Sequence, residues 1–181
     1  MHRVELAPHP DSSHTPVRGI GVVVERAGHE LALSYRIESD MVRLRVPDES
    51  ASRIGRELWK HTCCECFIAL ESDLAYHEFN LSFSREWAAY AFTNYREGAP
   101  LVDETLDPRI VVRRFGDRLE LDASIALDRL SPRHASSALV MGLSAVIEDT
   151  EGRLSYWALT HPAAKPDFHR RDAFALELMP P

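Results

Sequence analysis

The sequence predicts an all-β protein built as two antiparallel sheets packed face to face, with about ten strands and little helix. Three observations carry this expectation. Short segments alternate apolar and polar residues with a period of two, as half-buried strands do. Gly, Pro and Asp punctuate those segments at close intervals. Helical periodicity is scarce, and many short strands joined by short turns point to a sandwich. The 181 residues are 45% hydrophobic and 27% charged, which suits one globular domain with its own core. No composition shift marks a boundary, so residues 1–181 read as a single domain.

Taken in order, "GIGVVVER" (19–26) and "HELALSYRIES" (29–39) form a first strand pair with a tight connection around Ala27-Gly28. In the second of these, Leu31, Leu33, Tyr35 and Ile37 share one face, and Ala32, Ser34, Arg36 and Glu38 the other. Further strands are expected at Met41–Val46, Thr62–Leu70, Ala75–Phe83, Trp87–Thr93, Arg109–Phe115, Arg118–Leu127, Leu139–Glu148, Leu154–Leu159 and Ala173–Leu178. Phe115-Gly116-Asp117-Arg118 supplies one hairpin turn and Asp149-Thr150-Glu151-Gly152 another. Arg96-Glu97-Gly98 is read as an exposed turn. "DESASRIGRELWK" (48–60) predicts one or two helical turns capped by Asp48, although Gly55 weakens them. "LDRLSPRHASS" (127–137) predicts a single turn that Pro132 begins or interrupts.

Composition excludes several classes. A net charge of −7, with 28 acidic against 21 basic residues, disfavours nucleic acid, whose phosphates demand a concentrated basic face. Arg109, Arg113 and Arg114 stand among Asp103, Glu104, Asp107 and Asp117, the pattern of a solvated strand face. No run approaches the roughly 20 apolar residues that span a bilayer, and no membrane partner is expected. "MHRVELAPHPDSSHTP" lacks the apolar region of a secretory signal. The three cysteines all lie in "CCEC" (63–66), so no disulfide framework exists and a reduced, cytoplasmic setting is expected. Oligomeric state is not legible.

The pleat also sorts candidate functional residues. On 62–70, Cys63, Glu65 and Phe67 oppose Cys64, Cys66 and Ile68. On 75–83, Tyr76, Glu78, Asn80 and Ser82 oppose His77, Phe79, Leu81 and Phe83, and the latter set is the natural core. Glu65, Glu78 and Asn80 thereby share the mixed donors and acceptors that sugar hydroxyls require. Trp59, Tyr90 and Trp157 are candidate stacking rings, with Trp87 and Trp157 better suited to the core. Tyr90 lies with Ala88 and Phe92, opposite Trp87, Ala89 and Ala91. The loop "THPAAKPDFHRR" (160–171) carries His161, Lys165, Asp167 and His169, a set fit for a pocket wall, or for a Lys165–Asp167 pair that caps the last strand.

Three stretches resemble known families. "LWKHTCCECFIAL" (58–70) is similar to the DOMON-like and family-nine carbohydrate-binding modules, in which a Trp precedes a strand of the type W-x-x-x-x-x-E-x-F. "AYHEFNLSFSREWAAYAFTNYREG" (75–98) and "SYWALTHPAAKPDFHRRDAFALEL" (155–178) resemble the following strands and the closing loop of a bacterial DOMON-like subgroup. The resemblance implies an immunoglobulin-like or jelly-roll sandwich that takes a sugar or a haem. It places Trp59 as a stacking ring and Glu65 as a hydroxyl-binding carboxylate, with Arg85 near a basic ligand contact.

The expectation is thus a non-catalytic module binding a small sugar-like ligand through Trp59, Glu65, Glu78, Asn80, Arg85, Tyr90, Lys165, Asp167 and His169. No catalytic residue, resident metal or cofactor is required. Haem or a metal is the first alternative, drawing on Met41, Met141, His77 and His161, or on Cys64 and Cys66 with His61 or His77. A hydrolase using Glu65 and Glu78 is the second. A cysteine nucleophile is disfavoured, because neighbouring Glu65 raises the thiol pKa.

Overall fold

The computed structural model describes residues 1–12 and 14–181. Within them the strands are β1 (His2–Pro8), β2 (Val17–Ala27), β3 (Glu30–Ser39), β4 (Arg53–Ile54), β5 (Cys63–Leu70) and β6 (Tyr76–Ser82). They continue with β7 (Glu86–Asn94), β8 (Glu97–Leu101), β9 (Arg109–Arg114), β10 (Arg118–Ala126), β11 (Leu139–Glu148), β12 (Leu154–Ala158) and β13 (Leu176–Leu178). Helix is limited to short 310 turns and α1 (Pro132–Ser136), which Pro132 opens and the Ser131 side chain caps. Among the described residues no helix is long and apolar enough to cross a membrane.

The strands run β4-β7-β6-β5-β11-β12-β1-β2-β3-β10-β9, with β8 added to β7 and β13 to β11. Pairing is antiparallel except between β4 and β7. Rather than two separate sheets, the strands form one curled sheet whose halves join through a single strand: His2–Leu6 of β1 pair with β2, whereas Ala7 and Pro8 pair with β12. Call β4 to β12 in that order the front layer and β2 to β9 the back layer. Between them the predicted inward faces meet. Ile20, Val22, Leu33, Tyr35 and Leu121 of the back layer pack against Cys66, Ile68, Phe79, Leu81 and Trp87 of the front, all essentially solvent-free. The Tyr35 hydroxyl crosses this core and donates to the Glu65 main-chain carbonyl at 2.8 Å.

Several expectations need correction. Met41–Val46 is no strand. Met41–Arg43 form a 310 turn with Val42 exposed, and only Leu44 and Arg45 meet the end of β11, Leu44 bridging Asp149 and the Arg45 N–H donating to the Glu148 carbonyl at 2.9 Å. Residues 48–60 form no capped helix. Their backbone turns toward β7 instead: Arg53 and Ile54 pair with Glu86 and Trp87, and the Gly55 N–H donates to the Trp87 carbonyl at 2.7 Å. A 310 turn then carries Leu58–Lys60. The last strand is shorter than Ala173–Leu178, since Arg171–Ala173 make another 310 turn. Glu97 and Gly98 belong to β8 rather than to a turn, and Arg96 alone takes the left-handed conformation, at φ 56°.

Candidate functional site

The outer faces of the two layers differ in what they carry. On the front layer, Cys63, Glu65 and Phe67 of β5 point away from the core, as do Glu78 and Asn80 of β6 and Tyr90 and Phe92 of β7. Register sets them side by side: Glu65 opposes Asn80, Phe67 opposes Glu78, and Glu78 opposes Tyr90. β11 adds Ser144 opposite Glu65, and β12 brings Tyr156 opposite Val146. Chain from the closing loop, residues 159–170, then stands over one side. The result is a hollow of about 510 Å³.

Two carboxylates form its floor. Glu65 is 3% exposed and Glu78 6%. Glu65 Oε2 accepts from the Ser144 hydroxyl at 3.1 Å, and the Cys63 thiol lies 3.8 Å from Oε1. Glu78 Oε1 accepts from Asn80 Nδ2 at 2.7 Å. These donors are neutral. Burial, and next the charge of Glu78, push the Glu65 carboxyl up to about 8, while burial pushes Glu78 up to about 7. Both groups rise from adjacent strands on a single wall. The thiols of Cys63, Cys64 and Cys66 are also held above their ordinary range, by burial first and then by the neighbouring acidic groups. All three are free and buried, which leaves no thiolate for nucleophilic work.

The rim is aromatic. Trp59, 38% exposed, sits on the 310 turn before β5 and meets Tyr90 edge to face, with centroids 5.7 Å apart. Phe92, Tyr156 and Phe168 complete the apolar wall, with Leu154, Val146 and Pro166 between them. His169 is wedged among Phe67, Tyr76 and Phe92, with centroids 5.1–6.0 Å away. Its Nδ1 is 2.9 Å from the Tyr76 hydroxyl, and its Nε2 is 3.7 Å from Glu78 Oε2. Burial, and then the Arg96 charge, lower its pKa to about 4, so the ring is neutral.

The closing loop is fastened at both ends. His161 Nε2 is 2.8 Å from the Ala7 carbonyl of β1. Asp167 accepts from the Tyr95 hydroxyl at 2.6 Å and from Arg96 Nη2 at 2.9 Å. Arg96 in turn donates its backbone N–H to the Tyr76 hydroxyl at 3.2 Å. Gly142 lets the loop's far end pack: a Cβ there would lie 2.8 Å from the Phe174 ring, which stacks on Phe67.

Of the residues expected from sequence, the structure gathers Trp59, Glu65, Glu78, Tyr90 and His169 around one hollow. Asn80 lies fully buried beneath and acts on Glu78. Asp167 stands behind the wall, paired with Arg96 and not with Lys165. Lys165 is exposed and Arg85 occupies the β6–β7 turn at φ 74°; neither lines the hollow. Trp87 and Trp157 are core residues. Met141 is buried in the core and Met41 lies in a 310 turn, so neither reaches the hollow. Among the described residues, no three His, Cys, Asp or Glu side chains gather as metal ligands. Arg96, Tyr156, Phe168 and Lys60 are lining residues that sequence reasoning did not select. One signal was available: with Trp157 inward, alternation turns Tyr156 outward.

The curled β fold is shared with solved structures of proteins described as carbohydrate-binding. A crystal structure of a Bacteroides uniformis protein, provisionally described as carbohydrate-binding, superposes with a TM-score of 0.70 at 14% identity, covering 96% of this chain and 84% of the other. A family 9 carbohydrate-binding module from Caldicellulosiruptor kristjanssonii in complex with glucose gives 0.59 at 13% identity, covering 97% and 83%. A family 9 module from the same organism in complex with cellotriose gives 0.53 at 14% identity, covering 86% and 72%. No protein-family profile matches the sequence, and no curated protein sequence matches it.

Proposed function

We propose that this chain is a non-catalytic binding module that takes a sugar or sugar-containing metabolite in the front-layer hollow. The observation that carries the reading is the conjunction of an exposed aromatic rim with an acidic floor in one space of about 510 Å³. That volume is in the range of small-molecule sites. A sugar ring offers a C–H face for Trp59 and Tyr90, and a hydroxyl edge for Glu65 and Glu78. Asn80 orients Glu78, while Asp167 and His169 support the wall. Arg85 and Lys165 have no part in this reading. The glucose- and cellotriose-bound modules of similar fold support the ligand class. A cytoplasmic setting is part of the proposal, in keeping with three free cysteines.

Placement of both carboxylates on one floor, from adjacent strands, favours binding over glycoside hydrolysis, in which two carboxyl groups flank the scissile bond. Calorimetry and melting curves with glucose and cellotriose test the proposal, since a ligand that prefers the native state raises its stability. A saturable heat is expected, and Trp59→Ala weakens it by about tenfold or more. An unchanged affinity in that variant removes the stacking role. Cleavage of cellotriose that disappears in a folded Glu65→Gln variant replaces the binding reading with a hydrolase.

A further inference from the structure

The floor of the hollow lacks a positive charge. Glu78 Oε2 accepts no hydrogen bond among the described residues, although the residue is 94% buried, and its nearest basic atom is the neutral His169 Nε2 at 3.7 Å. Glu65 receives only a hydroxyl and a thiol. The cationic side chains that line the hollow pair with acids outside its floor, although the Arg96 charge still lowers both carboxyls from a distance. Lys60 Nζ is 2.7 Å from Glu57 Oε1, and Arg96 Nη2 is 2.9 Å from Asp167 Oδ1. The remaining titratable groups facing the pair, Cys63, Tyr76 and Tyr90, are neutral, each pushed up first by burial. With those pairs discounted, Glu65 and Glu78 leave the hollow a surplus of negative charge when ionised. A neutral sugar satisfies hydrogen bonds there but does not compensate that charge, and buried carboxylates without a cation are costly.

The walls favour a cation as well. Trp59, Tyr90 and Phe92 present π-systems to the same space, and an ammonium beside such faces is attracted by their quadrupoles. We propose that the preferred ligand carries a protonated primary amine, as an amino sugar does, with the ammonium seated at Glu65 and Glu78 and the ring against Trp59 and Tyr90. This rests on the sugar-binding reading and sharpens it to a charged subclass. The ammonium supplies donors to the free Glu78 oxygen and favours the ionised form of both acids. Binding at neutral pH therefore releases a proton from the pair.

Titration calorimetry with glucosamine, N-acetylglucosamine and glucose, run near pH 7 in two buffers of different ionisation heat, tests this directly. Glucosamine is expected to bind about tenfold or more tightly than its neutral counterparts, with proton release, and to lose that advantage near pH 5. Glu78→Gln should cancel the preference, bringing glucosamine to the affinity that the same variant shows for glucose. The wild-type comparison stands even if that variant misfolds. Equal affinity for all three sugars overturns the amine proposal and keeps the sugar reading. Binding of none of them overturns both.

Discussion

The two layers of this fold solve the problem of their outer faces in opposite ways. On the back layer, acids meet bases in open solvent. Arg113 pairs with Glu120 at 3.1 Å and Asp122 at 2.6 Å, Arg118 with Glu120 at 2.9 Å, and Arg36 with Glu38 at 3.1 Å. On the front layer, Glu65, Glu78, Asn80 and Ser144 are buried beneath aromatic rings and the closing loop, with no cation in hydrogen-bonding contact. A strand face that only needs solubility takes cross-strand charge pairs. A strand face that retains buried carboxylates without a contacting cation gives up stability that charge pairing would have kept.

The largest expected effect lies where both layers share a requirement, in the core between them. Phe79→Ala removes a fully buried ring and should cost about 3–5 kcal/mol, lowering Tm by ~10 °C or more. Denaturant unfolding checks it, and a loss below about 1 kcal/mol would mean the interior is not packed as described.

Next comes the front face itself. Glu65 and Glu78 hold protons more tightly folded than unfolded. Their stabilising contribution is complete below the ordinary 4.5 and is lost as pH rises through about 7 and about 8. His77 and His169 act in the other sense: burial lowers both to about 4, so their contribution is lost as pH falls from 6.5 toward that value. The Glu65→Gln difference isolates the carboxylate. That variant should be more stable than the parent by about 1–3 kcal/mol near pH 8.5, and the gap should close near pH 5. A gap independent of pH would show that Glu65 is not titrating in this range.

A smaller effect is expected at the wall. Asp167→Asn weakens the contacts with Tyr95 and Arg96 and should lower Tm by about 3 °C, together with ligand affinity. The smallest belongs to the back face, where Arg113→Ala should move Tm by no more than about 2 °C, an effect that fades in high salt. A large loss there would erase the contrast between the layers.

Alternation made the faces legible. Period two assigned Glu65, Glu78 and Asn80 to one side and Phe79, Leu81 and Phe83 to the other without reference to any partner strand, and the structure keeps that division. The sequence of β8, "EGAPL", hid its strand, since Gly and Pro disfavour sheet and only pairing to β7 holds it extended. Met41–Val46 had the composition of a strand, but it meets only the end of β11, at Leu44 and Arg45. The far wall was hidden for a similar reason. Tyr156 reaches Glu65's side through the registers of β12 on β11 and β11 on β5, and Phe168 arrives on a loop. Registers between distant strands are written in tertiary contacts, not in local pattern.

Tyr35 grips the main chain of the residue whose carboxylate floors the hollow. The seat is therefore bolted through the interior to the opposite layer. A guest pulling on that acid would pull against the entire sandwich, so its arrival should register as a stiffening of the far sheet, readable by slowed amide exchange in β3 well away from the guest.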